Sequence, residues 1–361
     1  PRFWHEGEEV PFLGKPPLQF WMAAACMKVF GVNKVAGRLP GLAAAAGLVL
    51  LLFRVLRRYA GQDIAETAAV MAASAGLFFA LAGTIIVDMV LAFFVAGPLL
   101  AYYAFLAEPE SRLKKRWSLL VFALLARGFM TKGPVAIVLF GLPAFVWTAW
   151  HREWKGLKNH AWTLGIPLFL ILTVPWFVIC EQHNPGFLKY FFLNENLFRY
   201  IKHEYGDLYG SGRDLPRGTA VGMMLLVGLP WTVWALLLLW KHRREGVRSL
   251  LVAPGSGFFL LCFVSGTLFW CLARQLLLTY LLPLVPPFCA WLACLVHRRG
   301  VSRQAVVRVA AGLVVFYTVG AALAGPWFFK AKGKATEGVL EQAAAVAGKE
   351  GIGGQIGRAH V

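Results

Sequence analysis

The chain has 361 residues, 58% of them hydrophobic and only 15% charged, with a mean hydropathy of +0.62. A soluble domain carries roughly a quarter of its residues as charges, so a water-solvated fold is excluded and the solvent for most of this chain is lipid. The net charge of +18 raises nucleic acid as a partner, because Lys and Arg neutralise phosphate backbones, but the basic residues lie between apolar runs. They cluster at Arg54, Arg57 and Arg58; at Arg112 and Lys114 to Arg116; at Arg152, Lys155 and Lys158; at Lys241, Arg243, Arg244 and Arg248; and at Arg298, Arg299, Arg303 and Arg308. That is the signature of loops kept on the cytoplasmic side of a membrane, and it argues for no nucleic acid.

In chain order, Pro1 to Pro17 is polar and Pro-rich with no initiating Met, and reads as a truncated first extracytoplasmic loop with at least one helix missing upstream. Leu18 to Phe30 is apolar but short, with Trp21 and Lys28 suited to a helix lying at the interface. Ten spanning candidates follow, at about 38 to 57, 64 to 83, 88 to 106, 117 to 131, 134 to 150, 160 to 180, 218 to 240, 255 to 272, 276 to 296 and 305 to 329. Starting outside and alternating, they put all five basic clusters on one side, although helices were chosen by apolar length and not by loop charge. The expected fold is an all-α, polytopic transmembrane bundle over residues 18–329. The stretch 330–361 opens a further extracytoplasmic segment, with a weak helical pattern from Thr336 to Ala347 and a tail, Gln355 to Val361, that resembles translated adapter sequence. The six cysteines sit in or beside apolar runs without CxxC spacing and read as small core residues, not a disulfide or zinc framework.

The opposite side receives nine of the 18 acidic residues: Glu6, Glu8, Glu9, Asp88, Glu181, Glu195, Glu204, Asp207 and Asp214. The chemistry is expected there. Lys15 precedes Pro16 and Pro17 at the mouth of a helix; a fixed ammonium at a helix N-terminus suits a phosphate oxygen, and a snorkelling interfacial lysine is the alternative. Asp88 opens an apolar span, as an active-site carboxylate, an N-cap or both. Thr131-Lys132-Gly133-Pro134 is a tight outer turn with one cation, and Arg127, a charge inside an apolar run, needs a partner for which Asp88 is a candidate. In Phe187 to Tyr200, Asn194, Glu195, Asn196 and Arg199 interleave with aromatics; Glu195 and Arg199 share a helix face as an ion pair, or Arg199 captures a lipid phosphate. The Gly-rich Tyr205 to Gly212 could cradle a polar group. Arg274 and Tyr280 flank a break rich in Pro further on, where non-helical backbone requires protein or a water-filled cavity around it.

Taken together, Phe12-Leu-Gly-Lys-Pro-Pro-Leu18, Arg38-Leu-Pro40, Asp88-Met89, Thr131-Lys-Gly-Pro134, Asn194-Glu-Asn-Leu-Phe-Arg199 and Tyr280-Leu-Leu-Pro283 resemble the integral membrane glycosyltransferases that use polyprenyl-phosphate sugars, in the aminoarabinose-transferase-like and protein-mannosyltransferase-like branch of the GT-C fold. The resemblance runs from about residue 10 to 290. It implies inverting transfer from an undecaprenyl- or dolichyl-type phosphate sugar to lipid A, protein or another glycan, on the extracytoplasmic face of the cell membrane. It further implies that Lys15, Arg199 and Tyr280 hold the carrier phosphate, with Lys132, Glu195, Asn196 and Arg274 around the substrate and Asp88 as an acidic position near the site. The catalytic Asp of the family's first outer loop would lie upstream of Pro1. Some relatives carry Glu before Lys-Pro-Pro, where it helps bind a metal; Gly14 stands here, which leaves a divalent metal open and names no metal ligand. Leu276, Leu277 and Leu278 stand where relatives often read Lys-Leu-Pro, with Arg274 as the candidate substitute cation. A transporter or flippase of lipid-linked sugars is the competing reading, and a non-catalytic envelope scaffold the third.

Overall fold

The computed structural model describes residues 2–5, 8–152, 154–203, 214–245 and 255–323. Two compact units are present, Pro1–Val307 and Arg308–Val361; in the second, residues 308–323 are helical. The chain starts with an antiparallel hairpin, β1 (Arg2–His5) and β2 (Glu8–Pro11), in which Arg2 pairs with Pro11 and His5 with Glu8. This hairpin occupies the Pro-rich loop ahead of the expected helical bundle.

Helix α1 (Leu18–Phe30) has the 13 residues of the expected interfacial helix, and Trp21 on it is exposed. Asn33 caps α2 (Lys34–Tyr59) by accepting from the Ala36 N–H at 2.8 Å. The next expected span is two helices, α3 (Gln62–Ser74) and α4 (Gly76–Leu81), split where Ala75 turns extended. The Gly76 N–H there donates to the Leu229 carbonyl instead, at 2.8 Å. Then come α5 (Val87–Ala107), α6 (Ser111–Lys132), α7 (Val135–His151), the single turn α8 (Trp154–Leu157) and α9 (Trp162–His183). The start of α9 docks on α6 through His160: Ser118 Oγ lies 2.8 Å from His160 Nδ1 and accepts the Ala161 N–H at 2.9 Å.

A broken segment follows: α10 (Phe187–Lys189), a π-helix over Tyr190–Phe198, and α11 (Arg199–Ile201). The span expected at 218 to 240 is α12 (Thr219–Val227) and α13 (Trp231–Lys241), meeting at 106°. Gly228 and Pro230 lie at the bend, and both interrupt a helical hydrogen-bond ladder. Helix α14 (Ser256–Leu272), a 3₁₀ segment Leu278–Leu284 running into α15 (Val285–Arg298), and α16 (Arg303–Leu323) complete the described chain.

Helix α5 and the 3₁₀–α15 run form the centre of the first unit, 89% and 94% buried over their most apolar windows, whereas α9 is 17% buried and faces outward. Against the ten expected spans, five helices among the described residues reach the length and apolarity of a membrane crossing, and the bent pair makes six. The shortfall has a physical source. Helices α7 and α14 have 17 residues, α3 has 13, and α6 begins with Arg112 and Lys114 to Arg116, yet inside a bundle a helix can stop short because neighbouring protein covers its end.

Candidate functional site

The functional side chains sit at helix ends that the alternation of the chain brings to one side: Asp88 in the first turn of α5, Lys132 as the last residue of α6, Tyr280 in the 3₁₀ segment, and Lys15 just before α1. Two local features set the geometry. Gly133 has φ +83°, and a Cβ added there would lie 2.6 Å from the Phe191 ring, so only glycine lets α6 end against the π-helix. The wider π turn puts residues five apart in register: Tyr190 Oη donates to Glu195 Oε1 at 2.8 Å, and Asn196 Nδ2 donates to the Phe191 carbonyl at 2.8 Å. Gly41 on α2 approaches the turn before α5 just as closely, since a Cβ would meet the Thr84 carbonyl oxygen at 2.8 Å.

Two linked charge networks result. Lys132 Nζ donates to Asp88 Oδ1 at 2.5 Å, Thr279 Oγ1 donates to Asp88 Oδ2 at 2.6 Å, and the Lys132 ammonium sits 3.4 Å from the centre of the Tyr280 ring. Arg199 Nη1 pairs with Glu195 Oε2 at 2.9 Å, and Arg199 Nη2 donates to Tyr280 Oη at 3.0 Å. Tyr280 thus joins the networks, its face to one cation and its hydroxyl to the other. Beside them opens a cavity of about 380 Å³ whose lining includes Gly14, Lys15, Lys132, Glu195, Asn196, Arg199, Gln275 and Tyr280, with Val135, Val138, Phe192, Leu197, Phe269 and Trp270 as apolar wall. Among the described residues no carboxylate pairs with Lys15. Burial, and then the charge of Lys132, lower its pKa from the ordinary lysine range. Three cations against two carboxylates leave a positive surplus facing an apolar-walled space.

Residues 14–179 match the family described as dolichyl-phosphate-mannose-protein mannosyltransferase. The undecaprenyl phosphate-alpha-4-amino-4-deoxy-L-arabinose arabinosyl transferase 2 of Pseudomonas fluorescens is 27% identical over 76% of this chain and 48% of its own length, and the Erwinia tasmaniensis transferase of the same description is 26% identical over 88% and 57%. The chain therefore spans about half the length of the curated relatives it matches. The crystal structure of ArnT from Cupriavidus metallidurans bound to undecaprenyl phosphate superposes with a TM-score of 0.72 at 22% identity, covering 88% of this chain and 56% of that one. The apo form gives 0.67.

The chain has a GT-C-type fold.

Within this GT-C bundle, six of the eight residues singled out from the sequence line one cavity: Lys15, Lys132, Glu195, Asn196, Arg199 and Tyr280. Asp88 is not among the lining residues; partly buried, it has both oxygens engaged, one by Lys132 of the lining. Arg274 is not among the lining residues. Its backbone N–H donates to the Tyr200 carbonyl at 2.9 Å and its carbonyl accepts from Leu215 at 3.0 Å, and the neighbouring Gln275 enters the lining instead, donating Nε2 to the His203 carbonyl. Asp88 also does not pair with Arg127, which is exposed and donates to the Ala123 carbonyl of its own helix at 3.1 Å. The Gly-rich stretch Tyr205 to Gly212 lies outside the described residues. Trp270, Gln275 and Thr279 escaped the sequence reading: a Trp in an apolar run looks like lipid-facing or core packing, and only the adjacency of Thr279 to Tyr280 could have flagged it. Among the described residues no three His, Cys, Asp or Glu side chains converge as a metal-ligand set.

Proposed function

We propose that this chain carries the membrane domain of a glycosyltransferase that moves a sugar from a polyprenyl-phosphate donor to an acceptor hydroxyl or amine at the extracytoplasmic face. The observation that carries the reading is the convergence of Lys15, Lys132, Arg199 and Tyr280 on one apolar-walled cavity. A carrier of this kind dissolves its tail in the bilayer and holds its phosphate at the interface, so its site must join a greasy wall to cations. In the transfer, the bond from the anomeric carbon to the phosphate oxygen breaks, the acceptor atom bonds to that carbon from the opposite side, and its proton passes to a base. The charge that develops on the departing phosphate is what Lys15, Arg199 and Lys132 stabilise.

Asp88 acts through Lys132. With one oxygen on Lys132 and the other on Thr279, it holds the ammonium toward the cavity and is ill placed to take a proton itself. Glu195 does the same for Arg199, while Asn196 presents an amide to the sugar. The extracytoplasmic placement is supported by charge: α5 is 21 residues long, about 30 Å at 1.5 Å per residue, and Arg58, Lys114 and Glu108 meet at its far end. Basic loops are retained in the cytoplasm, so the opposite end faces out. The activity for which the bacterial relatives are named makes an undecaprenyl-phosphate-linked aminopentose the first donor to test.

Full-length protein in nanodiscs, given that donor and a lipid A acceptor, is expected to release undecaprenyl phosphate in step with sugar transfer. A transporter would instead move the lipid-linked sugar across a vesicle without releasing the carrier phosphate. That result, with no transfer from any polyprenyl-phosphate sugar, would sink the reading.

A further inference from the structure

Trp270 stands on the last turn of α14 and lines the cavity, with its side chain 5% exposed. Its indole ring lies 5.1 Å from that of Tyr280, whose hydroxyl receives Arg199 Nη2. The indole N–H is buried and has no hydrogen-bond partner among the described residues. The fold can satisfy such groups elsewhere: Trp117 donates to Tyr59 Oη at 2.9 Å, Trp162 to the Leu157 carbonyl at 2.7 Å and Trp231 to Ser74 Oγ at 3.2 Å. Trp291 Nε1 is also unpaired, but it belongs to a second groove walled by residues such as Leu236, Phe263 and Phe288, with no cation to bring a polar ligand there.

Buried donors are nearly always paired, and each exception calls for a reason. An indole N–H can donate and cannot accept, so what completes it must be an oxygen acceptor. Beside Arg199 and Tyr280, under a surplus of positive charge, that acceptor is an anion. We propose that Trp270 Nε1–H donates to a phosphate oxygen of the lipid carrier, making Trp270 a further binding residue of the site; this rests on the polyprenyl-phosphate reading above. The ring contributes apolar wall for the first prenyl unit, and the N–H adds a charge-assisted hydrogen bond with a fixed direction, which the flexible lysines lack.

Full-length protein labelled with ¹⁵N at its tryptophan indoles is titrated with a short-chain polyprenyl phosphate and, separately, with the matching polyprenol. The Trp270 N–H resonance, identified by its loss in Trp270→Phe, is expected to move downfield with the phosphate and to stay in place with the polyprenol. Trp270→Phe keeps the ring and should weaken polyprenyl phosphate binding roughly tenfold, the size of one hydrogen bond to a charged group. An unmoved resonance while the phosphate demonstrably binds overturns the proposal, as does an equal shift with polyprenol or a shift seen only with the sugar-bearing donor. Should wild-type protein bind no polyprenyl phosphate at all, the functional reading itself fails and this inference falls with it.

Discussion

The two ends of α5 carry buried carboxylates that are wired differently. At the C-terminal end Glu108 is saturated: Oε2 takes Arg58 at 2.9 Å and Tyr59 Oη at 2.5 Å, Oε1 takes the Glu110 N–H at 3.2 Å, and Trp117 closes over Tyr59. Nearby, Arg303 pairs with Glu66. Both oxygens of the Glu108 carboxylate are engaged within the protein. At the N-terminal end Asp88 is equally satisfied, yet around it Lys15 and the Trp270 N–H have no partner among the described residues and line a cavity. His160 Nε2, packed against Phe105 at the C-terminal end, also lacks a partner among the described residues, but only at the Asp88 end do such groups line the cavity. A closed network fixes helix ends, whereas an open one with unspent donors is built for something the chain itself does not supply.

That contrast can be broken most directly at its two lysine and arginine partners. Lys132→Met strands Asp88 in a buried position, and the expected cost is about 3–5 kcal/mol of stability, read from denaturation in detergent; Lys132→Met with Asp88→Leu should restore much of the stability but not the transfer. Opposite pH responses are the next test. Burial pushes the His160 imidazole down to about 4, against 6.5 for a free histidine, so the unfolded chain binds the extra proton between those values. Stability should therefore fall as the pH drops from 6.5 to 4, by about 3 kcal/mol at most, and His160→Phe should flatten that slope.

Lys15, which pairs with no carboxylate among the described residues, should separate function from stability: Lys15→Ala is expected to weaken polyprenyl phosphate binding at least tenfold, about 1.4 kcal/mol, with unfolding unchanged. Because its pKa is lowered, wild-type affinity should decline as the pH rises through a range below that of an ordinary lysine, and the Ala variant should lose that dependence. A shift in unfolding for Lys15→Ala equal to that of Lys132→Met would erase the distinction between the paired lysine and the unpaired one. The smallest effect belongs to Arg58→Met, since Arg58 is half exposed and Tyr59 still serves Glu108; denaturation in detergent should show little loss of stability.

Much of this was legible in one dimension. Apolar run length and the placement of Lys and Arg depend only on the solvent that each segment meets, so the lipid environment, the helix positions and the segregation of basic clusters from the acidic face follow from the chain alone. The i,i+4 pair of Glu195 and Arg199 is local and was equally readable. Partner choice was not. Asp88 meets Lys132 across 44 residues and Thr279 across 191, and Arg199 meets Tyr280 across 81; no periodicity encodes which helix ends adjoin. The same holds for Gln275 entering the cavity in place of Arg274, for the π turn that aligns Tyr190 with Glu195, and for the unspent indole of Trp270. Sequence determined which groups had to escape the hydrocarbon, and tertiary packing decided which of them found one another and which were left facing the cavity.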